Sequence, residues 1–161
     1  MTGSKISSLL VDINNRLEEG TGPDKANLAV FLQEIKEVME NFFEEDVNRD
    51  NKGKLRLSAV GKEDRKLWYD YHGYDKEPLG TDTRIKFCFG NLLEAFVLLL
   101  VKEAGHKVTE CQKEVTVGEV KGHIDCLIDG ELVDVKSASP YGFKKFKDGS
   151  ILKGDDPFGY M

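Results

Sequence analysis

The stretch Gly122-His123-Ile124-Asp125-Cys126-Leu127-Ile128-Asp129-Gly130-Glu131-Leu132-Val133-Asp134-Val135-Lys136-Ser137 decides how the chain is read. β-Branched and apolar residues flank Asp129-Gly130, a dipeptide that favours a two-residue type I′ turn because glycine takes positive φ without steric cost. With those two residues as the loop, Ile128 faces Glu131, Leu127 faces Leu132, Cys126 faces Val133 and Asp125 faces Asp134. Directly opposed residues share a face of the sheet with Cβ atoms roughly 4.5–5.5 Å apart, so two carboxylates are expected to meet. Side chains alternate along a strand, which puts Lys136 on the face of Asp134 and turns Ile124, Cys126, Ile128, Val133 and Val135 to the other.

Like charges directly opposed destabilise a sheet unless something positive lies between them. A hard divalent ion shared by two acidic oxygens is the simplest remedy, and the pair therefore outlines a Mg²⁺ site. The plainer alternative is the wet face of an amphipathic hairpin, where Asp, Lys and His are ordinary.

Upstream, Thr81-Asp82-Thr83 offers an N-cap for a helix over 84–104, terminated by Gly105. Leu92, Leu93, Phe96, Val97, Leu98, Leu99, Leu100 and Val101 cover nearly its whole circumference, so the helix is expected to be buried. The charge inside this apolar run is Glu94, and an ionised carboxylate is costly to bury unless it is paired, hydrogen-bonded or bound to a metal. A first strand is expected over 108–117, with Gln112 on its polar side and a turn at Gly118.

Gly122-x-x-Asp125, a hairpin and then Asp134-Val135-Lys136-Ser137, in this order, resemble the PD-(D/E)XK nuclease superfamily, in particular the RecB-like exonucleases of phages and recombination systems. Gly90 and Glu94 match the family's spacing on the preceding helix, where an acid or His four residues after a Gly points at the metals. Arg65-Lys66-Leu67-Trp68-Tyr69 is similar to a segment ahead of the core in the phage members. The resemblance implies hydrolysis of DNA phosphodiester bonds, with Glu94, Asp125, Asp134 and the carbonyl of Val135 holding Mg²⁺ or Mn²⁺. Lys136 would orient or deprotonate the attacking water or stabilise the transition state. Arg65, Ser137, Lys144 and Lys145 are candidates for nucleic-acid contact, and His123 and Gln112 support the site from behind. Arg65 alternatively holds a structural carboxylate, and Trp68 and Tyr69 are expected in the core in preference to serving as base-stacking platforms.

The expected fold is mixed α/β (α+β). A helical N-terminal hairpin over 1–50 precedes a restriction-endonuclease-like core over 51–161, made of a helix, a three-stranded antiparallel meander and a helix. In the hairpin, Ile6, Leu9, Leu10, Ile13 and Leu17 mark one helix, and a second follows Gly22-Pro23-Asp24 with its apolar stripe from Leu28 to Phe43. Residues 46–54, rich in Asn, Asp and Lys, read as a linker. Ser139-Pro140 opens a last helix, and Asp156-Pro157 opens another near the C-terminus. Family members continue with a helix bearing Gln-x-x-x-Tyr and a further strand, so the resemblance implies a core incomplete at the C-terminus and a complementing C-terminal polypeptide as a partner. The rival reading is a noncatalytic or half-enzyme subunit that acts as a protein-interaction module. A third is a Holliday-junction or restriction-type endonuclease on the same scaffold.

At 161 residues, 40% hydrophobic and 32% charged, the chain has the composition of one globular domain with a small extension. Its richest apolar run, 92–101, is about half of the roughly 20 residues a membrane span needs, so no membrane partner is expected. The N-terminus lacks a basic-then-apolar signal pattern, which leaves the cytoplasm of a phage host or bacterium as the expected location. Cys88, Cys111 and Cys126 are odd in number and dispersed, and are expected as buried thiols. Three such cysteines cannot supply the four ligands of the iron–sulfur cluster found in some RecB-like proteins, so no cluster is expected. A net charge of −6 argues against a protein that coats nucleic acid nonspecifically, although local basic walls remain at Arg65, Lys66, Arg84, Lys86 and again from Lys136 to Lys153.

Overall fold

The computed structural model describes residues 5–44, 53–74 and 78–150. Most of the linker expected over 46–54, together with Lys153 and the helix start at Asp156-Pro157, lies outside them. The architecture is α+β, with five α-helices and two small antiparallel sheets among the described residues. None of these helices is long and apolar enough to cross a membrane. The chain divides into two compact units.

The first unit joins 1–48, 78–114 and 123–135. A 3-10 turn, Ile6–Ser8, leads into α1 (Leu9–Glu18), and α2 follows as Lys25–Phe43. Asp24 caps α2, its carboxylate accepting from the backbone N–H groups of Ala26 and Asn27, which satisfies donors the first helical turn leaves open. The long helix α4 (Thr81–Glu103) packs against both, and β1 (Val108–Thr109), β4 (Cys126–Ile128) and β5 (Glu131–Val133) form a sheet in the order β1-β4-β5. Leu98, Val101, Cys126 and Ile128 make the core, with Ile6, Leu9 and Ile13 of the N-terminal helical segment packed onto it.

The β4–β5 register is the one the sequence dictates: Ile128 with Glu131, Leu127 with Leu132, Cys126 with Val133. Asp129 at φ 52° and Gly130 at φ 89° give the two positive φ values of a type I′ turn. Two expectations for the strands are corrected. The single strand over 108–117 is broken after Thr109, where Glu110 and Gln112 take φ of 57° and 52°, and pairing resumes only in β2 (Glu114–Val117). The chain from Gly122 to Ile128 is likewise not one strand, because β3 (Val120–His123) ends two residues before β4 begins. The antiparallel order β1-β4-β5 stands, with the β2–β3 pair interposed in sequence.

α4 is not buried all round. Ala95, Leu98, Leu99 and Val101 are buried, but Ile85, Phe87, Phe89, Leu93 and Phe96 are exposed. At 100° per residue, Ile85, Phe89, Leu93 and Phe96 share one face and Glu94, Leu98 and Val101 the opposite one.

The second unit joins 49–77, 115–122 and 136–161. It holds a 3-10 turn, Leu57–Ala59, then α3 (Asp64–His72), most of the β2–β3 pair and α5 (Pro140–Asp148). Ser139 caps α5 by accepting from Gly142 N–H, with Pro140 at the first helical position. Gly122 lies hard against Leu57, where a Cβ would stand 2.7 Å from the leucine Cβ, so no larger residue fits without displacing it.

Candidate active site

Helix α4 presents Glu94 half-buried on its core-facing side, in line with Leu98 and Val101. The break after β1 brings Gln112 to it: Gln112 Nε2 donates to Glu94 Oε1 at 3.2 Å, while the Gln112 backbone N–H donates to the Asp125 carbonyl at 2.9 Å. Asp125 in turn accepts the backbone N–H of Val135 on Oδ2 at 3.2 Å. Glu94, Gln112, Asp125 and Val135 are thus joined by successive hydrogen bonds drawn from a helix, a strand break, the entry to β4 and the exit from β5. A left-handed φ at a non-glycine residue such as Gln112 is costly, and it persists here with its backbone anchored to Asp125.

Asp134 is exposed and lies one residue beyond β5. The observed ladder ends at Cys126 and Val133, one pair short of the expected Asp125–Asp134 pair, and Asp125 engages Val135 instead. Among the described residues, no three His, Cys, Asp or Glu side chains gather as a group that could hold a metal ion. The donor types of Glu94, Asp125, Asp134 and the Val135 carbonyl are all hard oxygens, which suit Mg²⁺ or Mn²⁺ in preference to softer metals.

Of the other expected site residues, His123 is exposed at the end of β3 in the first unit, and Arg65, Lys136, Ser137, Lys144 and Lys145 belong to the second. Lys136 and Ser137 are exposed, and Lys136 follows directly on Val135, the last residue of the first unit. The Arg65 guanidinium lies 5.8 Å from the centre of the Tyr69 ring, and Lys145 Nζ lies 4.9 Å from that of Tyr141. Lys144 is exposed on α5.

All three cysteines are free, but only Cys126 is buried; Cys111 is exposed in the strand break and Cys88 half-buried, a correction to the expectation of three buried thiols. Burial pushes the Cys126 thiol up to about 11, with Cys111, Asp125 and Glu94 acting in the same direction, so it stays protonated at neutral pH. The acids at this site therefore influence the core cysteine beside them.

Two polar clusters escaped the sequence reading. Glu103 Oε2 accepts from Arg16 Nη2 at 2.8 Å, and its carboxylate also takes the Asn27 side chain and the Asp24 backbone N–H, tying the α1–α2 connection to the end of α4. The Asn27 hydrogen bond, above the other contacts, holds its carboxyl below the usual range against the opposing effect of burial. An acid in the last turn of a helix opposes the macrodipole, and that was the signal available in the sequence. Buried His106 sets Nδ1 2.6 Å from Asp129 Oδ2 and Nε2 3.2 Å from Asp12 Oδ2, the second contact without hydrogen-bond alignment. The His106 and Lys107 N–H contacts hold the Asp129 carboxyl below its ordinary value. Nothing in the spacing of these residues announced the cluster.

No family model matches the chain, and neither a curated protein nor a solved structure matches it.

Proposed function

We propose that the chain is a Mg²⁺- or Mn²⁺-dependent deoxyribonuclease of PD-(D/E)XK type, a phage-type exonuclease acting in the cytoplasm. The observation that carries the reading is the hydrogen-bonded line from Glu94 through Gln112 and Asp125 to Val135, which links three residues of the expected oxygen-donor set across separate elements. Glu94, Asp125, Asp134 and the Val135 carbonyl would hold the ion, which when bound acidifies a water and offsets negative charge on the phosphate. Gln112 fixes the direction of the Glu94 carboxylate, and the Val135 N–H fixes that of Asp125. By resemblance and by its place next to Val135, Lys136 would hold or take the proton of the attacking water at Nζ.

Cleavage of linear DNA by the full chain is expected to need Mg²⁺ or Mn²⁺ and to vanish in Asp134→Ala and Lys136→Ala while their circular dichroism is unchanged. Full activity in either variant would remove the mechanism. Circular and branched substrates separate an exonuclease from a restriction-type or junction-resolving enzyme.

A second reading, a half-enzyme or noncatalytic interaction module that recruits a complementing polypeptide, is favoured by the exposed Ile85, Phe89, Leu93 and Phe96 on one face of α4, since joined apolar patches commonly mark protein contacts. Calorimetry with Mg²⁺ decides: metal binding with cleavage only after a partner is added supports the half-enzyme, and no metal binding supports the module.

A further inference from the structure

The second unit exposes aromatic rings where a core was expected. Trp68 is 49% exposed and Tyr74 55%, with Tyr69 and Tyr71 also open. They are joined, not scattered. The Trp68 ring lies 4.2 Å from that of His72 with planes 31° apart, and 5.6 Å from that of Tyr74 at 33°. Tyr69 meets both Trp68 and Tyr74 edge-on, at 5.3 and 5.1 Å. The backbone enforces the grouping: Gly73 ends α3 at φ 69°, and the Tyr74 N–H then bonds back to the Tyr69 carbonyl at 3.3 Å, folding Tyr74 over the helix end. His72 is held by its Nδ1, 2.8 Å from the Trp68 carbonyl.

The chemistry of this cluster selects its occupant. On the helical wheel Trp68, His72, Arg65 and Tyr69 span about 100°, with Asp64 about 40° beyond Trp68 and Asp70 about 100° beyond Tyr69. Arg65 is the charge inside that sector, and its guanidinium lies over Tyr69. The unit as a whole carries 14 Lys and Arg against 10 Asp and Glu, a net of +4, whereas the first unit has 9 against 19, a net of −10. Although the whole chain is net −6, the unit that exposes these rings is net positive. Its α5 repeats the combination, with Tyr141, Phe143 and Phe146 exposed among Lys144, Lys145 and Lys147. Rings with flat faces attract planar partners, and positive charge attracts phosphate. A single-stranded nucleic acid offers both, whereas a duplex hides the faces of its bases.

We propose that the α3 face, built from Trp68, His72 and Tyr74 with Arg65 at its edge, is a stacking platform for unpaired bases of single-stranded nucleic acid. This deepens the nuclease reading by naming the substrate class, and it rests on that reading for the fate of the strand but not for its binding.

Trp68 is the one tryptophan in the sequence, so its emission reports on this face alone. The full chain is titrated in EDTA, where no cleavage occurs, with a 15-mer of thymidylate, a 15-mer of uridylate, a duplex of equal length and polyphosphate. Quenching of Trp68 by the two single strands, with little by duplex or polyphosphate, is the expected result, and the stronger of the two strands identifies DNA or RNA as the source. By fluorescence anisotropy of labelled thymidylate, Trp68→Leu and Tyr74→Ala are expected to weaken binding about 10-fold each, and Trp68→Tyr to restore most of it, because stacking needs a ring but not a particular one. Polyphosphate quenching as strong as that of the strands, equal duplex binding, no quenching at all, or unchanged affinity in folded Trp68→Leu overturns the proposal. An Asp134→Ala protein that still binds single strands but does not cut separates this platform from the cleavage mechanism, and a protein that cuts without quenching sinks the platform alone.

Discussion

The two ends of α4 have similar residues and opposite fates. Toward its C-terminus Leu98 and Val101 are packed among Cys126, Ile128 and the N-terminal helical segment, and Glu103 is clasped by Arg16, Asn27 and the Asp24 N–H. Toward its N-terminus Ile85, Phe89, Leu93 and Phe96 stay exposed, and Glu94 receives the side chain of Gln112 from a backbone in left-handed conformation. The comparison teaches that the C-terminal end closes on the core, whereas the N-terminal end, tied to α2 where Arg84 donates to the Phe42 carbonyl at 2.7 Å, leaves one apolar face exposed. Glu103 holds elements together through three partners, whereas Glu94, which belongs to the expected donor set, meets Gln112 at a break whose backbone is left-handed.

The contrast can be broken by mutation. Leu98→Ala, which removes a side chain 5% exposed in the core, is expected to cost about 2–5 kcal/mol by urea denaturation. Glu103→Ala leaves Arg16, Asn27 and the Asp24 N–H without their shared acceptor, and a loss of about 3 kcal/mol is expected for this side chain, 8% exposed. The same carboxylate has a pH signature. Its folded pKa is depressed below the ordinary 4.5, so its contribution is fully present above that value and is lost as the pH falls through the folded pKa. The slope of stability against pH below about 4.5 should therefore shrink in Glu103→Gln. At the other end, Phe89→Ser, at a ring 66% exposed, is expected to change stability by no more than about 0.5 kcal/mol. A large loss there would mean that the N-terminal half of α4 is packed after all, and the comparison would fail.

Local chemistry explains which parts of the fold were legible. The β4–β5 register follows from two adjoining residues that accept positive φ and from side chains that alternate around them, both short-range facts. The capping of α2 by Asp24 and of α5 by Ser139 is equally local. The interruption at Glu110 and Gln112 was hidden because neither residue is a glycine, and Gln112 is held by bonds to Asp125 and Glu94, both distant in sequence. The site was half legible for the same reason: Glu94, Asp125 and Val135 were named from pattern and are linked in space, but through Gln112 and a backbone N–H, and without the Asp125–Asp134 rung.

The amino-acid order alone set the hairpin and the caps of α2 and α5, since each depends on neighbours a few positions away, whereas α4 starts at Thr81 after Gly80, without the side-chain cap expected at 81–83. Which faces of α4 are covered, which acids are paired, and that Trp68, His72 and Tyr74 stand open together were settled only by folding. Burial and polar pairing are relations between segments far apart in the chain, and no single stretch encodes its own partner.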